Sequence, residues 1–190
     1  MILTDQNTEQ LLNLCDSGNQ QAQMEIYNRY YKAMYNTSLR IVRDSFEAED
    51  IMQESFLTAF SKLSTLNEKA TFGAWLKRIV INNSIQYYKK NKAKKEESLD
   101  NKIYKLKIAD EVYEESNHTN QKAKMVLECM KDLKSNYRTG LTLHLIEGYD
   151  YEEICEIMEI SYANCRTMIS RAKESLRKNL QPLEKSLYEG

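Results

Sequence analysis

With 190 residues, the chain has room for one medium domain or two small ones. Five glycines and one proline are too few turn residues for a β-sandwich or barrel, so the composition predicts an all-α fold of long helices with short connections. A formal net charge of −1 excludes a uniformly basic surface, yet the charges are segregated: seven Lys or Arg and no acid from Phe72 to Lys95, six acids and no base from Glu147 to Glu159, then mainly basic residues from Arg166 to Lys178.

In chain order, a short helix is expected from about Thr8 to Ser17, with Gly18 closing it. A second runs from about Gln20 to Val42, where Ala22, Ile26, Tyr30, Ala33, Tyr35, Thr37 and Ile41 recur near helical spacing. Asp44-Ser45 offers an N-cap for a third helix, Glu47 to Leu63, and the polar stretch Ser64 to Thr71 reads as a loop. A fourth helix is predicted from Phe72 to near Lys94. The charged and polar segment from about Glu96 to Asn120 lacks a sustained apolar stripe and reads as a linker, with Ile103 to Val112 able to form helix when bound.

Apolar periodicity resumes with Met125, Val126, Leu127, Met130 and Leu133, followed by Leu141, Leu143, Leu145 and Ile146. The stretch Tyr151 to Leu180 divides into two helices around a tight turn at Glu159-Ile160-Ser161. The expected organisation is therefore two small helical domains, residues 1–95 and 123–190, joined by a polar linker at 96–122, the second domain a helix-turn-helix.

Several function classes find no support. The cysteines Cys15, Cys129, Cys155 and Cys165 form no CxxC pair, and only His118 and His144 could join them, so small apolar core residues in a reducing cytoplasm are expected rather than a zinc site or a redox motif. There is no glycine-rich phosphate loop and no catalytic constellation, hence no enzyme, cofactor or small-molecule substrate is expected. The N-terminus MILTDQNTEQ lacks the basic and apolar stretches of a signal peptide, and no apolar run approaches the ~20 residues of a membrane span, which together predict a cytoplasmic protein.

On the third helix, Ala48, Ile51, Met52, Ser55, Phe56, Ala59, Phe60 and Leu63 share one broad face, with Asp50, Gln53 and Glu54 opposite and Leu57 in the middle of the polar side. That leucine is either a stray apolar residue on a solvated surface or the anchor of a protein-binding patch ringed by hydrogen-bonding groups. On the fourth helix, Trp75, Arg78, Asn82, Gln86 and Lys89 recur at spacings that place them on one face, while Leu76, Val80 and Tyr87 suit a core. The exposed stripe is either a solvated basic helix or a nucleic-acid surface, in which amides read base edges, cations bind phosphates and the Trp supports an unstacked base. On the last helix, Cys165, Met168, Ile169, Ala172 and Leu176 form an inward stripe, and Asn164, Arg166, Thr167, Ser170 and Arg171 project mainly away from it, as in a helix that reads the major groove. An ordinary helical hairpin fits the same pattern.

Three strings resemble segments of bacterial RNA polymerase sigma factors of the small, two-domain extracytoplasmic-function (ECF) group. AEDIMQESFLTAF resembles their polymerase-binding segment, which implies that Asp50, Gln53, Glu54 and Leu57 dock the coiled coil of the largest subunit of core RNA polymerase. TFGAWLKRIVINNSIQYYKK is similar to the helix that opens the −10 element of promoter DNA, which assigns −10 contacts to Trp75, Arg78, Asn82, Gln86 and Lys89 and a base pocket to Leu66–Thr71. YDYEEICEIMEISYANCRTMISRAKESLRKNL resembles the −35-binding helix-turn-helix, which assigns −35 contacts to Asn164, Arg166, Thr167, Ser170 and Arg171, with the acidic first helix facing away from DNA.

The chain departs from the family pattern at Ile81, Gln86, Glu159 and Met168, where other residues are usual. The resemblance implies a promoter-directing subunit, commonly held inactive by an anti-sigma factor. The competing reading is a free-standing helix-turn-helix regulator that binds operator DNA without polymerase. It leaves Asp50, Gln53, Glu54 and Leu57 unexplained.

Overall fold

A computed structural model describes the backbone of residues 3–97 and 119–188 and the side chains of residues 3–90 and 122–182. The expected linker, apart from its ends, and the Ile103–Val112 segment lie outside the described residues. The described residues are helical and contain no strand. None of their helices is long and apolar enough to cross a membrane. The chain divides into two compact units, Met1–Ile108 and Ala109–Gly190.

In the first unit, α1 (Thr8–Asp16) is closed at both ends by local chemistry. Asn7 and Gln10 form a reciprocal capping box at its start. After Ser17, Gly18 takes φ +82° while its N–H bonds the Cys15 carbonyl, a left-handed conformation that a residue without Cβ adopts at little cost. α2 (Gln20–Val42) spans the expected range and packs against α1, α3 and α4. Its buried stripe is Ala22, Ile26, Met34, Thr37, Ser38 and Ile41. Ala33, expected among the inward residues, is exposed: Ala33 and Met34 both fit the three-and-four spacing from Ile26 and half-buried Tyr30, and the larger side chain, Met34, takes the core position.

α3 (Ser45–Ser61) begins two residues earlier than expected, since Asp44 is the N-cap and its Oδ1 accepts from the N–H groups of Phe46 (3.0 Å) and Glu47 (3.1 Å). Asp44→Ala should lower the stability of this unit by about 1 kcal/mol, read as a lower urea midpoint with an unchanged slope. The segment read as a loop contains two short 3₁₀ turns, Leu63–Thr65 and Lys69–Thr71, in which Thr65 and Thr71 hydroxyls donate to the Lys62 and Glu68 carbonyls.

α4 (Phe72–Glu97) starts with the fully buried Phe72, whose ring meets Tyr30 edge-on at 5.4 Å and Trp75 at 6.0 Å. The core of this unit collects Leu11, Leu12, Ile26, Met34, Met52, Phe56, Phe72, Leu76 and Val80. Two polar ties set the register of α4. Ser84 Oγ donates to the Val80 carbonyl (2.7 Å) and lies 3.0 Å from Ser38 Oγ on α2, and Asn83 Nδ2 donates to Ser55 Oγ on α3 (3.0 Å). Buried hydroxyls in contact are satisfied here rather than orphaned.

The second unit comprises α5 (Thr119–Lys131), α6 (Ser135–Leu141) running into a π-helical turn (Thr142–Ile146), α7 (Tyr151–Met158) and α8 (Tyr162–Tyr188). α8 continues beyond the expected end at Leu180 and contains Pro182. Its core gathers Met130, Leu133, Leu141, Leu143, Ile154, Ile157, Cys165, Ile169, Ala172 and Leu176. α7 opens on a capping box between Asp150 and Glu153. It closes on Glu159, which sits at φ 57° and ψ 49°, the left-handed conformation that usually selects glycine. Met168, one of the departures from the family pattern, is turned inward: a Cβ added at Gly140 would lie 2.7 Å from its terminal methyl carbon. An uncharged side chain suits a position buried against α6.

Candidate functional site

α3 presents Asp50, Gln53, Glu54 and Leu57 to solvent, while Ala48, Ile51, Met52, Ser55, Phe56 and Ala59 are buried and Phe60 is half-buried. Leu57 is 71% exposed, an apolar side chain that the fold of this unit does not use. Gln53 Nε2 donates to Glu49 Oε1 at 3.2 Å, which aligns the amide along the helix. On the α2 side, Tyr27 and Tyr35 hydroxyls are pushed above the ordinary tyrosine range by burial first and by the Glu49 charge second. Tyr27 stacks on Tyr31 at 5.7 Å and tilts onto Phe56 at 4.8 Å, so α2 supports the flank of α3 with aromatic rings.

Sequence reasoning missed Phe46, the most exposed large apolar side chain among the described residues at 79%. The signal was its helical spacing from Asp50, Gln53 and Leu57. It lies one residue before the expected start of the helix at Glu47.

On α4, Asn82, Gln86 and Lys89 are exposed, and Arg78 and Trp75 are half-buried. At about 100° per residue the five fall within an arc of about 80°, so the helix does bring them together. Trp75 is also seated on the core through Phe72, leaving only part of its ring outward. Ile81 is fully buried and Ile85 nearly so. The departure at Ile81 therefore belongs to the core, and only Gln86 alters the exposed stripe. Tyr87, expected inside, is half-buried.

In the turn before α4, Leu66 packs on the core, and Lys69 Nζ donates to Asn13 Oδ1 (2.5 Å) and lies 4.0 Å from Asp16 Oδ2. These contacts tie the turn to α1 and leave Asn67, Glu68, Ala70 and Thr71 outward.

On α8, Asn164, Arg166, Thr167, Ser170 and Arg171 are all exposed, and Cys165, Met168, Ile169, Ala172 and Leu176 are buried. The five span a broad arc of about 160° at helical pitch, with Arg166 and Asn164 at its edges. Thr167 Oγ1 donates to the Ala163 carbonyl at 2.9 Å. Glu174 shares the outward face, and the Lys178 ammonium, 2.9 Å away, holds its carboxyl below the usual range. That pairing partly cancels an acidic charge among the basic ones. Tyr162, also missed, opens α8 at 49% exposure with its ring against Tyr151, which in turn meets His144.

Cys15, Cys129 and Cys165 are buried as small apolar residues. Burial pushes the Cys15 thiol up to about 11. It does the same to Cys165, also to about 11, with the half-exposed Cys155 thiol of α7 adding to the shift. The turn thus brings together two thiols whose spacing in the sequence suggested no pairing.

Sigma-70 region 2 matches residues 26–94, which hold α3 and most of α2 and α4. Sigma-70, region 4 matches residues 123–176, which hold the helix-turn-helix. The ECF RNA polymerase sigma factor SigW of Bacillus subtilis is 30% identical over 175 residues, 87% of this chain and 92% of that protein. The RNA polymerase sigma-H factor of Pseudomonas aeruginosa is 27% identical over 195 residues, 96% of this chain and 98% of that protein. Among solved structures, the sigma factor RpoE of Bartonella quintana, crystallised with the anti-sigma factor NepR, superposes with a TM-score of 0.60 at 18% identity, covering 83% of this chain and 96% of that one. CnrH, solved with the cytosolic domain of CnrY, gives 0.55 at 20% identity, covering 92% and 97%. With both sigma-70 regions matched in order and relatives aligned along nearly their whole length, the chain belongs to the ECF RNA polymerase sigma factors, which direct core RNA polymerase to promoter DNA.

Proposed function

We infer that the chain divides its work between residues 1–95, which dock polymerase and engage the −10 element, and residues 123–190, which read the −35 element, with 96–122 as the tether. Asp50, Gln53, Glu54 and Leu57 meet the coiled coil of the largest polymerase subunit. The observation that carries this reading is Leu57, 71% exposed amid polar neighbours on a helix whose opposite face is buried. An apolar anchor ringed by hydrogen-bonding groups is the usual anatomy of an energetic centre in a protein interface.

Trp75, Arg78, Asn82, Gln86 and Lys89 hold the unpaired −10 strand, the cations on phosphates and the amides on base edges, with Leu66–Thr71 at the base pocket. Asn164, Arg166, Thr167, Ser170 and Arg171 enter the major groove at −35. Each unit alone makes few phosphate contacts, so affinity for free DNA is low. Polymerase fixes the spacing of the two and turns weak contacts into one strong one through effective concentration.

The protein works in the cytoplasm, performs no catalysis of its own, and is held in check by an anti-sigma factor of the kind bound to RpoE in the Bartonella complex. A free-standing regulator would need only the helix-turn-helix and has no use for the region 2 match or the exposed face of α3.

The test is run-off transcription with purified core polymerase and a library of upstream fragments, with and without this protein. New start sites that share −35 and −10 sequences, and that vanish with Leu57→Ala or Asp50→Ala, are the expected result. Tight duplex binding by the protein alone, without new start sites, would overturn the proposal in favour of the regulator.

A further inference from the structure

Phe46 stands at the first turn of α3, 79% exposed, with its backbone N–H held by the Asp44 carboxylate. Such a ring gains nothing from water, and no ring contact to another aromatic side chain is present among the described residues. At about 100° per residue, Phe46, Asp50, Gln53 and Leu57 lie within an arc of about 60°. Phe46 and Leu57 are 11 residues apart in the sequence, which is about 16 Å along the axis at a helical rise of about 1.5 Å per residue. Between and beside them stand Glu47, Glu49, Asp50 and Glu54, and α3 carries no Lys or Arg. The face is therefore a bar with two apolar ends and an anionic middle.

We propose that Phe46 is a second apolar anchor of the polymerase-docking face, so that α3 engages core polymerase at two points about 16 Å apart, across a cationic strip on the polymerase surface. The inference rests on the assignment of Asp50, Gln53, Glu54 and Leu57 to polymerase docking, and extends that face by about one helical turn beyond Asp50 toward the N-terminus of α3. Three features favour this occupant. The ring is continuous with the face around Leu57. The acidic residues complement a basic partner surface. The Asp44 cap fixes the backbone turn that carries Phe46, so only the rotamers of the ring itself remain to be ordered on binding.

The test is biolayer interferometry of the full chain, immobilised through a C-terminal tag, against purified core polymerase, comparing wild type, Phe46→Ala, Phe46→Leu and Leu57→Ala. Circular dichroism melts of each variant accompany the binding data, and with both side chains exposed the melts should superpose. Expected is a loss of about tenfold or more in affinity for Phe46→Ala, comparable to Leu57→Ala, with most of it recovered in Phe46→Leu. If Leu57→Ala weakens binding while Phe46→Ala binds like wild type, the second anchor is refuted and the docking assignment of Leu57 stands. If neither variant weakens binding, both are overturned.

Discussion

Leu57→Asp should reduce affinity for core polymerase by about hundredfold, equivalent to about 3 kcal/mol, and leave the folding of the free protein unchanged. The two halves of that expectation come from the same number. At 71% exposure the side chain contributes almost nothing to the core of its own unit, so a carboxylate there stays solvated and the melting temperature is preserved. On the proposed docking face the side chain is an apolar anchor, and replacing it by Asp loses the burial of a leucine and desolvates a new charge. Equilibrium binding to core polymerase, paired with a thermal melt of the free protein, reads both. A variant that bound normally would remove Leu57 from the interface; a variant that unfolded would mean that the leucine serves the core after all.

Phe72→Ala should act in the opposite way, costing about 3–5 kcal/mol of stability in the first unit. Phe72 is fully buried, opens α4 and contacts both Tyr30 and Trp75. A loss of that size is a large fraction of what a small domain has. The chain has a single tryptophan, Trp75, so its fluorescence follows this unit alone. The fluorescence transition should move to markedly lower denaturant, with loss of transcription from −10-dependent promoters. A midpoint close to wild type would show that Phe72 does not anchor α4.

Much of this arrangement could be read in the residues. The inward face of α3 was plain because its apolar positions keep helical spacing without interruption, and the polar stripe of α4 emerged from the same periodicity. Errors arose where the pattern admits more than one phase. On α2, Ala33 and Met34 both fit an approximate stripe, and packing selects the larger side chain. Ile81 departs from the family pattern within the −10 segment, but its side chain is buried with those of Val80 and Ile85 and completes a core.

The residues hardest to find were those whose meaning depends on neighbours distant in the sequence. Ser38 and Ser84 are 46 positions apart, and Asn83 and Ser55 are 28, so nothing local announces that these polar groups tie α4 to α2 and α3. Phe46 and Tyr162 stand in the first turns of their helices, where an apolar residue is easily read as part of the connection. Cys155 and Cys165 meet only because the turn between them folds back.

That turn also has a consequence for finding proteins of this kind. Glu159 holds a backbone angle that costs a side-chain-bearing residue about 1–2 kcal/mol relative to glycine. The hinge is kept because Ile154 and Ile157 of α7 and Cys165 and Ile169 of α8 are all buried, and their burial outweighs the local strain. The geometry is thus stored in the packing of two helices rather than in the residue at the bend. A search pattern that demands glycine there would discard this chain, whereas one built on the spacing of the buried residues would retain it.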